Sequence, residues 1–217
     1  MLHRVRKSLA VECSARYRPA MSSAVYLITG IQAAGKSTVA QALAERLPRS
    51  AHVHGDVFRR FVVGGRAEMS GEPSEEALRQ LRLRHRLAAA TADEYADAGF
   101  TAVVQDVVLG ESLPWMVEQI RTDPVYVVVL APRPAAVARR EAGRDKKAYG
   151  VFTVDQLDTV LHAETPRIGL WLDTTDLTVE ETVGEILARA EPVERRFGPG
   201  ERLRQWASAR RVPRARR

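Results

Sequence analysis

Residues 30–37 read Gly-Ile-Gln-Ala-Ala-Gly-Lys-Ser, the spacing GxxxxGK[ST] with every fixed position filled. That spacing suits a loop that wraps its backbone N–H groups around phosphate oxygens. Gly30 and Gly35 allow the wrap, Ile31, Gln32, Ala33 and Ala34 supply the intervening amides, and Thr38 continues into a helix whose start adds partial positive charge. Lys36 would reach the outer phosphates and the Ser37 hydroxyl would ligate Mg²⁺. Such a loop calls for an acid on the metal side. Asp106, ending the apolar run "TAVVQD" at 101–106, has the expected form and would orient Mg²⁺ directly or through water.

A second acid raises a separate question. "AHVHGDVFRR" (51–60) leaves a short strand on Asp56 and follows it with cations. Where phosphoryl groups are moved, a carboxylate so placed can take the proton of an attacking hydroxyl. Arg59 comes three residues later and on a helical turn shares a face with Asp56, where it would hold an acceptor group or neutralise charge. In "RREAGRDKK" (139–147), Arg140 and Arg144 are four apart on one helical face. Gly143 and Gly150 allow movement, so the segment reads as a lid that closes arginines over the outermost phosphate.

These residues need elements to hold them. "AVYLIT" (24–29), "AHVH" (51–54), "TAVVQD" (101–106), "VYVVVLA" (125–131) and "GLWLDTT" (169–175) read as five strands. Val39, Leu43 and Leu47 recur at helical spacing before Pro48. Ser74 is placed to cap a long helix to about Ala98, with Leu78, Leu81, His85, Ala88, Ala92 and Tyr95 as its apolar stripe and Gly99 as its stop. Pro134 opens another helix, and Thr153–Gln156 and Thr178–Glu181 have capping-box spacing. Apolar strands alternating with helices predict an α/β fold, a parallel sheet covered on both faces. Acids that end such strands lie at the edge where ligands bind.

Composition narrows the setting. The net charge of +6 is carried by the ends: residues 1–20 hold +4, residues 191–217 hold +6, and the body between them is mildly acidic. The expected organisation is a basic extension over 1–20, one domain over 21–190 with its lid near 139–150, and a basic tail over 191–217. No apolar run approaches the roughly 18–20 residues of a membrane span. Cys13 is the single cysteine, which excludes an internal disulfide and suits a reducing cytoplasm. His52 and His54 share a strand face without a third metal ligand, His85 reads as a core histidine, and Arg79, Arg82 and Arg86 read as a solvated helix face.

"ITGIQAAGKST", "GDVFRR", "AVVQDVVLG", "RREAGRD" and "LWLDTT", in this order, resemble the small P-loop kinases that phosphorylate hydroxyls of small molecules, in particular the chloramphenicol phosphotransferase-like group. The resemblance covers roughly residues 22–190. It implies a P-loop NTPase three-layer sandwich, nucleoside-monophosphate-kinase-like, with a five-stranded parallel sheet in the order 2-3-1-4-5. It further implies ATP and Mg²⁺, a base after strand two, falling on Asp56, and a lid arginine, falling on Arg140 or Arg144. The expected activity is transfer of the γ-phosphate to an alcohol of an antibiotic- or nucleoside-like compound. The Asp-x-x-Arg spacing of Asp56 and Arg59 also resembles the bacteriophage polynucleotide kinase type, whose acceptor is a 5′-hydroxyl of nucleic acid. A nucleotide-binding switch that hydrolyses ATP without an acceptor is the third alternative.

Overall fold

The computed structural model describes residues 23–142 and 152–194. Five strands form one sheet: β1 (Val25–Gly30), β2 (Ser50–His54), β3 (Thr101–Gln105), β4 (Val125–Leu130) and β5 (Leu170–Leu172). Their order is β2-β3-β1-β4-β5, and every neighbouring pair is parallel. β1 lies at the centre, in register with β4 from Val25↔Val125 to Gly30↔Leu130. All five residues of β3 are buried, as are five of six in β4, which is why these strands read as unbroken apolar runs. The edge strand β2 is the most polar.

Around the sheet run α1 (Lys36–Arg46), the short α2 (Val57–Arg60), α3 (Glu75–Asp97), α4 (Ser112–Gln119), α5 (Pro134–Ala142), α6 (Val154–Thr159) and α7 (Val179–Arg189). A π-helical turn, Val160–Glu164, continues α6. Right-handed crossovers place α1, which leads leftward from β1 to β2, on one face, and α3 and α4, which lead rightward, on the other. α7 packs on α1, and α4 packs on α3. Three layers result.

The caps form where their residues predicted them. Ser74 accepts from the Ala77 N–H at 3.2 Å, and Thr153 and Thr178 each close a complete capping box with Gln156 and Glu181. Such a cap is worth about 1 kcal/mol. The predicted stripe of α3 is corrected at its ends. Leu78 and Tyr95 are exposed, and the buried side runs instead through Ala77, His85, Ala88, Ala89, Ala92, Asp93 and Ala96. Small alanines let the helix lie close on the sheet, which turns the larger residues outward.

Buried Asp93 fastens α3 to the connection before β4. Its Oδ1 accepts from the Thr122 N–H at 2.9 Å and the Thr122 hydroxyl at 2.8 Å, while both its oxygens lie 3.0 Å from the Arg121 N–H. The strand expected to reach Thr175 stops at Leu172. There Asp173 Oδ1 accepts from the Thr175 N–H at 2.9 Å and turns the chain out of the sheet. α4 was not anticipated from the sequence, although Leu113, Met116, Val117 and Ile120 keep helical spacing and are buried.

Candidate active site

Because all strands are parallel, the segments that follow all five of them emerge at one edge of the sheet. There they line an open cleft of about 650 Å³ whose walls include Gln32–Val39, Asp56, Arg59, Arg60, Arg84, Gln105, Asp106, Arg140 and Thr174.

The loop after β1 is shaped by its glycines and by one alanine. Gly30 has φ +143° and passes so close to the Leu130 carbonyl that a Cβ would collide with it. Ala33 takes φ +58°, a left-handed conformation uncommon outside glycine. Gly35, at φ +97°, precedes α1 with no side-chain cap, and the first turn of α1 carries no acid. The helix start is therefore left to an anion. Lys36 is buried, and its Nζ donates back across the loop to the Ile31 carbonyl at 2.7 Å. Ser37 and Thr38 are exposed on the cleft wall. Thr29 steadies the loop from below: its hydroxyl donates to the Val108 carbonyl and accepts from the Val108 N–H, both at 2.9 Å.

Asp106 lies just past β3 and is almost wholly buried. Its partner is Arg84 of α3, which donates from Nε to Oδ2 at 2.7 Å and from Nη2 to Oδ1. The Val107 N–H adds a bond to Oδ1 at 2.7 Å. Burial pulls Arg84 down to about 10, opposed by the Asp56 charge and reinforced by Arg59, so it remains a cation at neutral pH. Arg84 was not singled out in the sequence. Its position was informative nonetheless: it stands three residues after Leu81 and four before Ala88, on the sheet-facing side of α3. A cation there needs a buried acid.

Asp56 sits at the cleft mouth, half exposed, at the start of α2. It makes no capping bond there. Asp56 Oδ2 meets Arg60 Nη2 at 3.2 Å, whereas Arg59, expected to hold an acceptor group or neutralise charge, pairs with Glu68 while still lining the cleft. α2 is a single turn, and the i,i+4 reach brings Arg60 over Asp56 while Arg59 swings toward the following loop. Arg66 meets the other oxygen of Glu68 at 3.1 Å.

Gly55 sets the spacing between the two acids. Its N–H donates to the Gln105 carbonyl at 2.9 Å, and a Cβ here would overlap the Asp106 carboxylate, which Arg84 holds in place. Gly55→Ala is expected to cost about 1–3 kcal/mol by overpacking, read as a lowered urea midpoint. A wild-type midpoint would show that Asp106 yields freely.

Arg140, near the end of α5, donates from Nη1 to the Ala34 carbonyl at 3.2 Å and from Nη2 to the Thr174 carbonyl at 2.7 Å. It thus spans from the phosphate-binding loop to the loop after β5. Residues 143–150 of the expected lid, Arg144 among them, lie outside the described residues. Behind the cleft, the rings of His52 and His54 stand 3.9 Å apart, with His52 Nδ1 2.8 Å from Gln41 Oε1 and His54 Nδ1 3.3 Å from Gln105 Nε2. Burial, with His54 beside it, lowers His52 to about 4, so it is neutral at pH 7. His85 is fully buried and lowered to about 3, first by desolvation and then by Arg84. Among the described residues no cluster of three or more His, Cys, Asp or Glu stands ready to hold a metal by protein ligands alone.

A five-stranded parallel sheet in the order 2-3-1-4-5, with a phosphate-binding loop after its central strand, defines a P-loop kinase-like α/β protein. The chain belongs to a family described as an AAA domain, whose model matches residues 25–163. Its fold is similar to that of a sugar kinase from a Janibacter species (18% identity, TM-score 0.61, covering 77% of this chain and 94% of that one). It is similar also to the tunicamycin resistance protein of Deinococcus radiodurans (18%, TM-score 0.56, 78% and 99%). A third similar structure is an APS kinase of Mycobacterium tuberculosis, in complex with AMPPNP and APS (19%, TM-score 0.56, 77% and 96%). No curated protein matches the chain in sequence. None of the described helices is long and apolar enough to cross a membrane.

Proposed function

We propose that the chain is an ATP-dependent kinase that moves the γ-phosphoryl group to a hydroxyl of a small molecule. One observation carries the proposal: the phosphate-binding loop and the Asp56 carboxylate line the same cleft. A loop alone would suit hydrolysis or switching. An acid at the mouth of the same cleft suits an acceptor that has to lose a proton.

The loop amides and the start of α1 would bind the phosphates of ATP, and Lys36 would leave the Ile31 carbonyl to meet them. Ser37 presents its hydroxyl to the cleft, whereas both oxygens of Asp106 already accept from Arg84. These residues fit an ion held largely by phosphates, Ser37 and water, with Asp106 oriented toward it through water. Mg²⁺ so held supplies neutralisation of the phosphate charge. In the transfer itself the acceptor oxygen bonds to the γ-phosphorus while the bond to the β–γ bridging oxygen breaks. ADP leaves with that electron pair, and the hydroxyl proton passes to Asp56. Arg140, already against the loop, would stabilise the transferring charge. Arg144 is proposed for the same task on the strength of the lid motif alone.

The test offers γ-labelled ATP and Mg²⁺ with hydroxyl-bearing antibiotics and nucleosides, with a 5′-hydroxyl oligonucleotide, or with water alone. Label on one small molecule is the expected result. Label on the oligonucleotide alone would make the chain a polynucleotide kinase, and label released only as phosphate would make it a hydrolase or switch. Lys36→Ala should lose transfer by about 10²-fold or more. Full activity in that variant would refute phosphate binding at the loop.

A further inference from the structure

The cleft carries cations that the proposed phosphate chemistry does not use. Its walls carry five cations (Lys36, Arg59, Arg60, Arg84 and Arg140) and two carboxylates, Asp56 and Asp106. Lys36 and Arg140 are assigned to the phosphates above, Arg84 is held by Asp106, and Arg59 and Arg60 are engaged by the carboxylates of Glu68 and Asp56.

The arginines differ in how firmly they are held. The Arg84 pair with Asp106 is buried, with side-chain exposures of 15% and 1%. Separating it would leave a buried charge unpaired. The Arg60 pair with Asp56 is 63% and 53% exposed, and the Arg59 pair with Glu68 is 46% and 54% exposed. Exposed pairs of this kind add little to stability. They exchange partners readily, and a better-matched oxyanion wins the guanidinium.

The Arg60 contact has a further consequence. Arg60 occupies Oδ2 of Asp56, so while the pair is closed an incoming hydroxyl finds one carboxylate oxygen, Oδ1, instead of two. Resting on the kinase reading above, we propose that Arg60 is a latch on the base, and that the acceptor carries an oxyanion group, of phosphate or sulfate type, which draws Arg60 off Asp56. Arg59 is the second exchangeable cation beside it, and Arg84 stays fixed on Asp106. An acceptor without the anionic group meets the half-engaged base and reacts more slowly; one that bears it binds and frees both carboxylate oxygens in a single event. Arg60 is then a positioning and specificity residue, acting through Asp56.

The two partners of the latch should move anion binding in opposite directions, which a merely structural contact would not do. The full chain is first titrated with MgAMPPNP, which fills the phosphate-binding loop, and then with sodium sulfate against chloride at matched ionic strength, both by calorimetry. Sulfate should bind the nucleotide-loaded wild type. Arg60→Gln should weaken it about tenfold through loss of a charge-assisted bond. Asp56→Asn should tighten it about two- to fivefold by removing the competing carboxylate. Both side chains are more than half exposed, so neither change threatens the fold. Absence of sulfate binding to the MgAMPPNP complex, or equal affinity in the wild type and both variants, overturns the latch and leaves the kinase reading standing. Failure of MgAMPPNP itself to bind overturns both.

Discussion

Asp56→Asn should retain MgATP affinity and lose turnover by about 10²-fold or more. The substitution keeps size and shape and removes the only property the proposed chemistry uses, the capacity to take a proton. The side chain is half exposed and makes no capping bond, and its ion pair with Arg60 is of the weak, solvated kind. Stability should therefore stay within about 0.5 kcal/mol of wild type, so lost activity cannot be ascribed to unfolding. Nucleotide affinity, measured with MgAMPPNP, is the internal control, since the phosphates are held by the loop and not by Asp56. Turnover equal to wild type would remove Asp56 from the chemistry and reassign the proton to water.

Arg84→Met should be the most destabilising single change at the site, lowering stability by about 3–5 kcal/mol. The reason lies less in the lost attraction than in what remains: the Asp106 carboxylate, 1% exposed, loses the guanidinium that met both its oxygens and retains the Val107 N–H bond. The double variant Arg84→Met/Asp106→Leu removes both charges and should recover most of that loss, because well-packed apolar residues commonly replace a buried pair at little cost. Activity should not recover, since Asp106 is also proposed to orient the metal side of the nucleotide. Urea midpoints and turnover, measured on the same three proteins, separate the two roles. An Arg84→Met midpoint equal to wild type would mean that the pair is not what holds Asp106. Recovered turnover in the double variant would remove Asp106 from the nucleotide site.

What the sequence determined by itself was local or periodic. Gly30–Ser37 carries its own chemistry in its spacing, because backbone amides bind phosphate wherever the chain can wrap. The buried strands were legible because both faces of a parallel sheet are covered, which forces continuous apolar runs; the caps at Ser74, Thr153 and Thr178 were legible because a cap is satisfied within four residues. That Asp56 and Asp106 would stand at one edge also followed, since each ends a strand of a parallel sheet. Where a side chain had two partners within reach, the tertiary structure decided. Asp56 faces Arg60 and not Arg59 because α2 is one turn long and Glu68, twelve residues from Asp56, offers Arg59 another acid. Arg84, one of several arginines on α3, was indistinguishable by type from Arg82 or Arg86. Only the docking of α3 on the sheet brings it to Asp106, across a separation of 22 residues. Gly55 was not distinguishable in the sequence, because the constraint on it is the Asp106 carboxylate from the neighbouring strand. Spacing along the chain records what neighbours in sequence can do for one another, whereas the pairing of distant charges depends on which helix face is buried and how close two strands approach.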